Sequence, residues 1–284
     1  MNQNNLLQYR PQNLLKEFLI LYNEVYPIDI VKANTLIQEN ISHLNGKIEK
    51  PSYVKELENR WYESLKTSEA DFSIYDDYYY FTDLWVCFHK FSRRYLLSIL
   101  KNNSLNKTTS IYEIFKDIKS IIDLGCGIGY TTSVLKQLFP NADVYGTNLK
   151  DTKQYKFCQK MSSLYNFKII SDISQAKPVD LVFASEYFEH IYNPIDHILD
   201  IINILKPKFL FLANSFNTVS VGHFEYYAFQ NGAIKSFYNQ NEISRKFNKI
   251  LVSNGYTKIK TKLWNNKPTL WAKNEPSIPF IHSV

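Results

Sequence analysis

The clearest indication of the fold is the segment Ser120-Ile-Ile-Asp-Leu-Gly-Cys-Gly-Ile-Gly-Tyr130. Three of the chain's eight glycines stand at alternate positions in it, at Gly125, Gly127 and Gly129. The apolar run before them is typical of a buried parallel strand, and glycines let the backbone turn tightly and approach a ligand closely. Residues 131–138 then have a helical pattern, and the amino end of that helix would face the same ligand. Strand, glycine turn and helix together predict the opening of a nucleotide-binding βαβ unit.

The carboxyl-terminal half of the chain continues this alternation of strands and helices. Short apolar segments follow one another at helix-length intervals, which is typical of a parallel sheet with helices on its faces. The last two predicted strands are neighbours in sequence and suit an antiparallel pair. The sequence therefore predicts an α/β fold, with a Rossmann-like, seven-stranded, mostly parallel sheet and an antiparallel terminal hairpin. After the first, the predicted strands cover residues 142–147, 167–170, 180–185, 209–213, 256–263 and 269–272.

The residues before the sheet carry helical patterns and almost no glycine. Apolar residues recur there at helical spacing, and prolines stand where helices would begin. The polar stretch 101–110 is the best candidate for a boundary. We therefore expect a helical region at 1–110 and a sheet domain at 111–284. The predicted helices cover residues 13–22, 28–44, a segment that begins at Pro51, and the aromatic-rich segment 72–91 continued to residue 100.

Composition limits the class of protein. Lys and Arg number 33 and Asp and Glu 27, so the net charge is +6, which permits an anionic partner without requiring one. No run of 18 apolar residues occurs, and the polar amino terminus lacks the layout of a signal peptide. The three cysteines have no metal-binding spacing and fit a reducing compartment. We therefore expect a soluble, cytoplasmic protein with no membrane partner.

The ends of the later strands decide what the glycine turn binds. A nicotinamide dehydrogenase requires G-x-G-x-x-G, whereas the third glycine here comes one position early. Residues 121–129, Ile-Ile-Asp-Leu-Gly-Cys-Gly-Ile-Gly, resemble the first motif of the class I S-adenosylmethionine-dependent methyltransferases. Asp180-Leu-Val-Phe with Glu189-His190 resembles their fourth-strand motif, and Leu205-Lys-Pro followed by Phe209-Leu-Phe-Leu-Ala-Asn resembles their fifth. The resemblance spans residues 119–214 and concerns the cofactor, not the acceptor.

The resemblance implies S-adenosylmethionine as cofactor and the glycine turn as part of its site. The main chain at Gly125 and Gly127 would lie against the amino-acid tail and the ribose, with Cys126 and Gly129 in the same turn. Asp123 would either help to hold the cationic tail or brace the amides of the turn.

Three more strand ends belong to the implied cofactor site. In the family an acidic residue usually ends the second strand and grips the ribose hydroxyls. Here the position is Asn148, an amide that accepts and donates without charge assistance. Asp172, which ends the third strand, matches the position that accepts from the adenine amine. Ser185 and Glu186, after the fourth strand, would lie beside the sulfonium.

Two classes of acceptor chemistry lack their motifs in this chain. Amino-methylating DNA enzymes carry Asn/Asp-Pro-Pro-aromatic after the fourth strand, where residues 185–188 read Ser-Glu-Tyr-Phe. Cytosine-C5 enzymes use a Pro-Cys nucleophile, and no cysteine here follows a proline. Nucleophilic catalysis by cysteine is therefore unsupported.

A group of carboxylates and imidazoles follows the fourth and fifth strands. Glu186, Glu189 and His190 would share one face of a helical turn, and His223 would come from the loop after the fifth strand. Such a set could bind a divalent metal ion, as in the small-RNA 2′-O-methyltransferases that the pattern resembles. A similar Glu-x-x-Glu-His occurs in ubiquinone-pathway O-methyltransferases, and Glu-His here often only lines the cofactor pocket. We favour a site without metal, in which His190 or His223 is the general base.

The leading hypothesis is an enzyme, an S-adenosylmethionine-dependent methyltransferase that acts on a hydroxyl oxygen of a small molecule such as a sugar or related metabolite. The aromatic segment 72–95 is expected to cover the mouth of the pocket, because annexes before the first strand commonly supply the acceptor site in this superfamily. An RNA 2′-O-methyltransferase with a divalent metal is one alternative. A catalytically silent cofactor-binding subunit is another, because Asn148 replaces the usual carboxylate.

Overall fold

The computed structural model describes residues 11–26, 29–67, 69–99, 111–176, 178–231, 234–259 and 268–274. Strands in this part of the chain form one large sheet and one separate hairpin. The strands are β1 (Ser120–Leu124), β2 (Asp143–Thr147), β3 (Lys168–Ile170), β4 (Leu181–Ser185), β5 (Phe209–Ala213), β6 (Tyr226–Asn231), β7 (Ile234–Asn239), β8 (Tyr256–Ile259) and β9 (Thr269–Lys273).

The large sheet has the order β3-β2-β1-β4-β5-β9-β8. Strands β1 to β5 are parallel to their neighbours, whereas β9 runs antiparallel to both β5 and β8. The strand order reverses between β1 and β4, and ligands of open α/β sheets bind at such a switch point. This topology confirms the predicted Rossmann-like sheet and its antiparallel end.

Helices cover both faces of the sheet, and several of them precede β1 in the chain. They are α1 (Pro11–Val25), α2 (Ile30–Leu44), α3 (Ser52–Lys66), α4 (Tyr78–Cys87), α5 (Arg93–Ile99), α6 (Ile111–Phe115), α7 (Tyr130–Leu138), α8 (Lys153–Tyr165), α9 (Pro194–Leu205) and α10 (Gln240–Ser253). A 3₁₀ turn, Phe72–Asp76, precedes α4, and a π-helical turn, Phe88–Ser92, joins α4 to α5.

Alternate residues of the central strands enter two different cores. Ile121 and Phe183 pack on the face covered by α1, α7 and α8, whereas Ile122 and Val182 pack on the face covered by α9 and α10. Because side chains alternate along a strand, a strand buried on both faces has a continuous apolar sequence. This is why the strand positions could be predicted from short apolar runs.

The amino-terminal helices share the first of these cores. The ring of Phe18 on α1 is fully buried, and its centroid lies 5.7 Å from that of Phe157 on α8 and 5.9 Å from that of Trp85 on α4. On the other face, the fully buried Trp61 of α3 donates from Nε1 to the carbonyl of His223 at 2.7 Å. The helices before β1 are therefore packed against the sheet on both of its faces. The boundary predicted at 101–110 lies outside the described residues.

Two local features differ from the prediction. The segment 72–100 is interrupted at Asp77, whose backbone is extended and whose carboxylate accepts from Tyr79 N at 2.8 Å, so that a new helix begins there. The hairpin of β6 and β7 was not predicted, because its sequence lacks a clear period-two pattern. Residues 260–263 of the predicted strand 256–263 lie outside the described part of the chain.

Within the described ranges, no helix is both long enough and apolar enough to span a bilayer.

Gly129 offers a direct test of how α7 packs. Its φ is +85°, and a Cβ there would lie 3.1 Å from Cys158 Sγ, Met161 Cβ and Phe167 Cζ. We expect Gly129→Ala to lower the free energy of unfolding by about 1–2 kcal/mol through backbone strain and about 1–3 kcal/mol more through overpacking. Chemical denaturation measures this loss.

Gly46→Ala is the matched control, because Gly46 has a φ of +70° and nothing within 4 Å of its added Cβ. That variant should lose only the backbone contribution. Equal losses in the two variants would contradict the packing of Gly129 against α8.

Candidate active site

A cavity of about 350 Å³ lies at the switch point between β1 and β4. Its floor is the glycine loop, which we define as residues 125–129, and the ends of β4 and β5 form its walls. Helices α4 and α5 and the π-helical turn between them cover it, which places the aromatic segment where the sequence predicted. The volume is in the range of small-molecule sites.

Three hydrogen bonds tie the glycine loop to the end of β2. Cys126 N donates to the carbonyl of Thr147 at 2.9 Å, and Gly125 N donates to Thr147 Oγ1 at 2.8 Å. Asn148 Nδ2 donates to the carbonyl of Gly127 at 2.6 Å. Because these bonds join the loop to the end of β2, a strand of the buried sheet, they fix the path of the loop backbone.

The three glycines of the loop serve different purposes. A Cβ at Gly125 would overlap the ring of Tyr187, so this glycine makes room for a side chain of the same chain. Gly129 has no space for a Cβ against α8, as described above. Gly127 has a φ of +52° and lines the cavity, with Leu84 Cδ2 as the nearest atom to an added Cβ at 3.6 Å. Gly125 and Gly127 both line the cavity, and at Gly127 no atom lies closer than 3.6 Å to an added Cβ, so its main chain is bare towards a ligand.

Asn148 braces the loop instead of pointing away from it. Its Nδ2 reaches Gly127 O, and its Oδ1 accepts from Leu149 N at 2.9 Å. A carbonyl only accepts and an amide N–H only donates, so both contacts require the same orientation of the amide. A carboxylate in this position would face the Gly127 carbonyl without a donor, which gives a physical reason for an amide here.

Asp123 is buried beneath the loop and outside the cavity lining. Its Oδ2 accepts from Thr132 Oγ1 on α7 at 2.6 Å, and only 2% of the residue is exposed. Burial raises its pKa to about 7. The structure thus makes Asp123 a link between β1 and α7, the elements on either side of the loop, and both roles considered from the sequence stay predictions.

Cys126 and Asp172 occupy two different environments. Cys126 Sγ lies 3.4 Å from Cys158 Sγ in the core, and this contact and burial raise the pKa of the Cys126 thiol. Asp172 is exposed after β3 and caps a 3₁₀ turn, where its carboxylate accepts from Ser174 N at 2.8 Å. Those hydrogen bonds hold the pKa of Asp172 below its usual value.

The end of β4 places two carboxyl groups beside the cavity. Ser185 and Glu186 line it, and Glu186 has a left-handed φ of +52°. Glu189 is fully buried, and its Oε1 accepts from Ser215 N at 2.8 Å. Burial and the nearby carboxyl of Glu186 raise the pKa of Glu189.

The two predicted histidines meet at the cavity wall. The ring centroids of His190 and His223 are 4.7 Å apart, and the ring planes are nearly perpendicular. His223 Nδ1 lies 2.7 Å from the carbonyl of Thr218, which can only accept, so Nδ1 carries the proton and a neutral ring has its lone pair on Nε2. Burial and His223 depress the pKa of His190, which keeps that ring neutral. His190 Nδ1 is 3.1 Å from the hydroxyl of Tyr75.

The weak metal candidates do not form a recognisable ligand set. In the part of the chain that the structure describes, no group of three or more His, Cys, Asp or Glu side chains is arranged to hold a metal ion. Glu189 Oε1 already accepts from the amide of Ser215, and His223 Nδ1 donates to the carbonyl of Thr218.

Several cavity residues were missed by the sequence analysis. Asp83 of α4 and Tyr95 of α5 line the cavity, and so does Ser92, whose hydroxyl is 3.0 Å from that of Ser185. One signal was available: Asp83 is a carboxylate within an otherwise aromatic and apolar helical stripe. No pattern in the sequence indicates Thr218, because its contribution is a main-chain carbonyl.

Comparisons with known proteins agree with this architecture. A family model described as a methyltransferase domain matches residues 88–250, more than half of the chain. The ubiquinone biosynthesis O-methyltransferase of Rickettsia bellii is 25% identical over 119 residues, which are 41% of this chain and 49% of that protein. The malonyl-(acyl-carrier protein) O-methyltransferase 2 of Ilyobacter polytropus is 26% identical over 126 residues, or 42% and 48%. The chain thus matches about half the length of these curated relatives.

Solved structures with similarity to this chain include two methyltransferases crystallised with S-adenosylhomocysteine. The plantazolicin methyltransferase, in complex with a pentazolic desmethylPZN analogue, is 20% identical with a TM-score of 0.40, covering 57% of this chain and 61% of that one. An O-methyltransferase from a trans-AT PKS multienzyme of Brevibacillus brevis is 19% identical with a TM-score of 0.34, covering 43% and 40%.

The buried carboxyl of Asp123 predicts a characteristic dependence of stability on pH. Its pKa is about 7 in the folded chain against an ordinary value of 3.8, so the folded state binds the proton more tightly. The stabilisation is complete below about pH 4 and is lost as the pH rises through 7. We therefore expect the free energy of unfolding of Asp123→Asn, minus that of the wild type, to rise by about 2–4 kcal/mol between about pH 4 and pH 8.

Denaturation at several pH values measures this difference. Asp117→Asn is the control for the change in net charge, because Asp117 is exposed. A difference between Asp123→Asn and the wild type that stays constant with pH would contradict a buried, protonated Asp123.

Proposed function

This chain belongs to the methyltransferase-domain family and is of the class I S-adenosylmethionine-dependent type, and on that premise we propose that it methylates a hydroxyl oxygen of a small molecule. S-adenosylmethionine supplies an electrophilic methyl group on a sulfonium and leaves as S-adenosylhomocysteine. The residues of this chain bind the two reactants, bring them into line and accept the proton of the hydroxyl group.

The proposal is supported chiefly by what covers the cavity and by which side chains line it. It is covered by the amino-terminal helices, and neither Lys nor Arg lines it among the described residues. A polyanion such as RNA is bound mainly through cationic contacts to its phosphates, and this cavity offers none. Its size and aromatic lining suit a small acceptor better, which favours that reading over RNA 2′-O-methylation.

The glycine loop is the best candidate for the donor site. Gly127 presents main chain to the cavity, and Glu186 lines it from the end of β4. A carboxylate next to the sulfonium and ammonium groups of the donor would favour its binding through charge. Asn148 supports this site from outside by bracing the loop, and Asp123 joins β1 to α7, the strand and helix on either side of the loop. The reading of a silent subunit rested on Asn148, and its bracing contact gives the amide a structural reason instead.

His223 is the stronger candidate for the general base. The carbonyl of Thr218 fixes its tautomer, so that Nε2 can take a proton, and His223 lines the cavity together with His190. During transfer an oxygen lone pair of the acceptor would form the new O–C bond, the S–C bond would break, and the hydroxyl proton would move to Nε2. His190, which stays neutral, would limit repulsion when His223 becomes charged.

Donor binding is tested by Gly127→Arg. The side chain would enter the cavity from the glycine loop, and we expect affinity for S-adenosylhomocysteine to fall by a factor of about 100 or more, because that side chain would fill the space against the loop that the donor needs. Titration calorimetry measures it. Gly46→Arg is the control, since Gly46 has a similar positive φ and open space around it. Unchanged affinity in Gly127→Arg, or no binding by the wild type, would contradict the donor site.

Proton abstraction is tested by His223→Asn, whose amide nitrogen takes the place of Nδ1 as the donor to the Thr218 carbonyl, while the basic nitrogen Nε2 is removed. With tritiated donor and small-molecule extracts, we expect the rate of methyl transfer at pH 7 to fall by about 10²–10⁴ with little change in donor affinity. His43→Asn on α2 is the matched control. Transfer into RNA alone, or full activity of His223→Asn, would contradict the proposal.

A further inference from the structure

Asp83 lies on the side of α4 that faces the cavity. Tyr80, Asp83, Leu84 and Cys87 follow the spacing of one helical face, and all four line the cavity. The other three residues are uncharged, so Asp83 places one carboxyl group in the helical roof, by which we mean α4, α5 and the turn between them.

The protein itself gives this carboxyl group little compensation. Asn40 Nδ2 donates to Asp83 Oδ1 at a long 3.4 Å, and Cys87 Sγ lies 3.9 Å from Oδ2. None of the ion pairs between described residues includes Asp83. Burial raises its pKa to about 6, so the group is still mainly a carboxylate above neutral pH. Asp83 is half-buried, and a carboxylate that loses contact with water is costly unless a cation pairs with it. A cationic ligand would supply that partner.

The cavity contains a second carboxylate, but in a different place. Glu186 follows β4 on the sheet side, where the proposed function puts the sulfonium, whereas Asp83 belongs to the helical roof. The rings of Tyr80, Phe88 and Tyr95 also line the cavity, and aromatic faces attract cations. The lining thus offers carboxyl groups at two separate places. The proposed function puts the sulfonium and ammonium groups of the donor beside Glu186, which leaves Asp83 for a cation of the acceptor.

We propose that Asp83 binds a protonated amine of the acceptor, so that the substrate class is small hydroxyl compounds that carry a basic nitrogen. This inference rests on the proposed function, because it assumes that the donor fills the glycine-loop side of the cavity. The competing role for Asp83 is to bind the ammonium group of the donor itself.

Calorimetry on the complex with S-adenosylhomocysteine tests the proposal at pH 8. The probes are two pairs that differ in the amine: tyramine against 4-ethylphenol, and glucosamine against glucose. We expect at least one amine to bind roughly tenfold or more tightly than its neutral partner, as for a hydrogen bond to a charged group. Asp83→Asn should abolish that preference while leaving the affinity for S-adenosylhomocysteine within about twofold of the wild type.

The variants and controls separate the outcomes. Asp83→Ser is a second neutral variant that should behave like Asp83→Asn, and Asp117→Asn should keep the preference for the amine. If no amine binds more tightly than its neutral partner, or if the preference survives in both Asp83 variants, the inference is overturned. A loss of S-adenosylhomocysteine affinity in both Asp83 variants would assign Asp83 to the donor and also overturn it. Failure of the wild type to bind S-adenosylhomocysteine would instead contradict the proposed function.

Discussion

The hydrogen bonds between the glycine loop and the end of β2 are the constraint on which the site depends. Thr147 accepts from the amides of Gly125 and Cys126, and Asn148 donates to the carbonyl of Gly127. These bonds use polar backbone groups that a turn would otherwise leave without partners, and they hold left-handed conformations that only glycine adopts readily. The floor of the cavity is therefore set before any ligand binds, which reduces what a ligand must order on binding.

The amino-terminal helices complete the site that this loop begins. Phe18 joins them to α8 on one face of the sheet, and Trp61 holds the main chain of His223 on the other. Helix α3 thus holds the main chain of His223, the proposed general base, and α4 covers the cavity. Because the roof contributes Asp83 and aromatic rings, the acceptor is expected to be recognised by this region, whereas the donor depends on the sheet.

The strands of the large sheet and the glycine turn beside the cavity could be predicted from the sequence, because apolar runs and glycine spacing reflect local backbone requirements. It predicted less well what each polar residue does. The residue type of Asn148 was visible, but its orientation depends on the carbonyl of Gly127, 21 residues away in the sequence. Gly125 was expected to contact the ligand, and it does line the cavity, but the structure also places the ring of Tyr187 where its Cβ would be, which no sequence pattern indicated. Contacts between distant segments decide such roles, and one sequence does not encode them in a readable pattern.

We expect S-adenosylmethionine to bind against the bare main chain of the glycine loop, with the acceptor under helices α4 and α5. A crystal structure of the complex with S-adenosylhomocysteine would show where the donor lies. We expect density for the ligand in the cavity, in contact with the main chain at Gly127 and with its sulfur directed towards the side of Glu186 and His223. An empty cavity at saturating ligand, or a ligand bound elsewhere on the molecule, would contradict it.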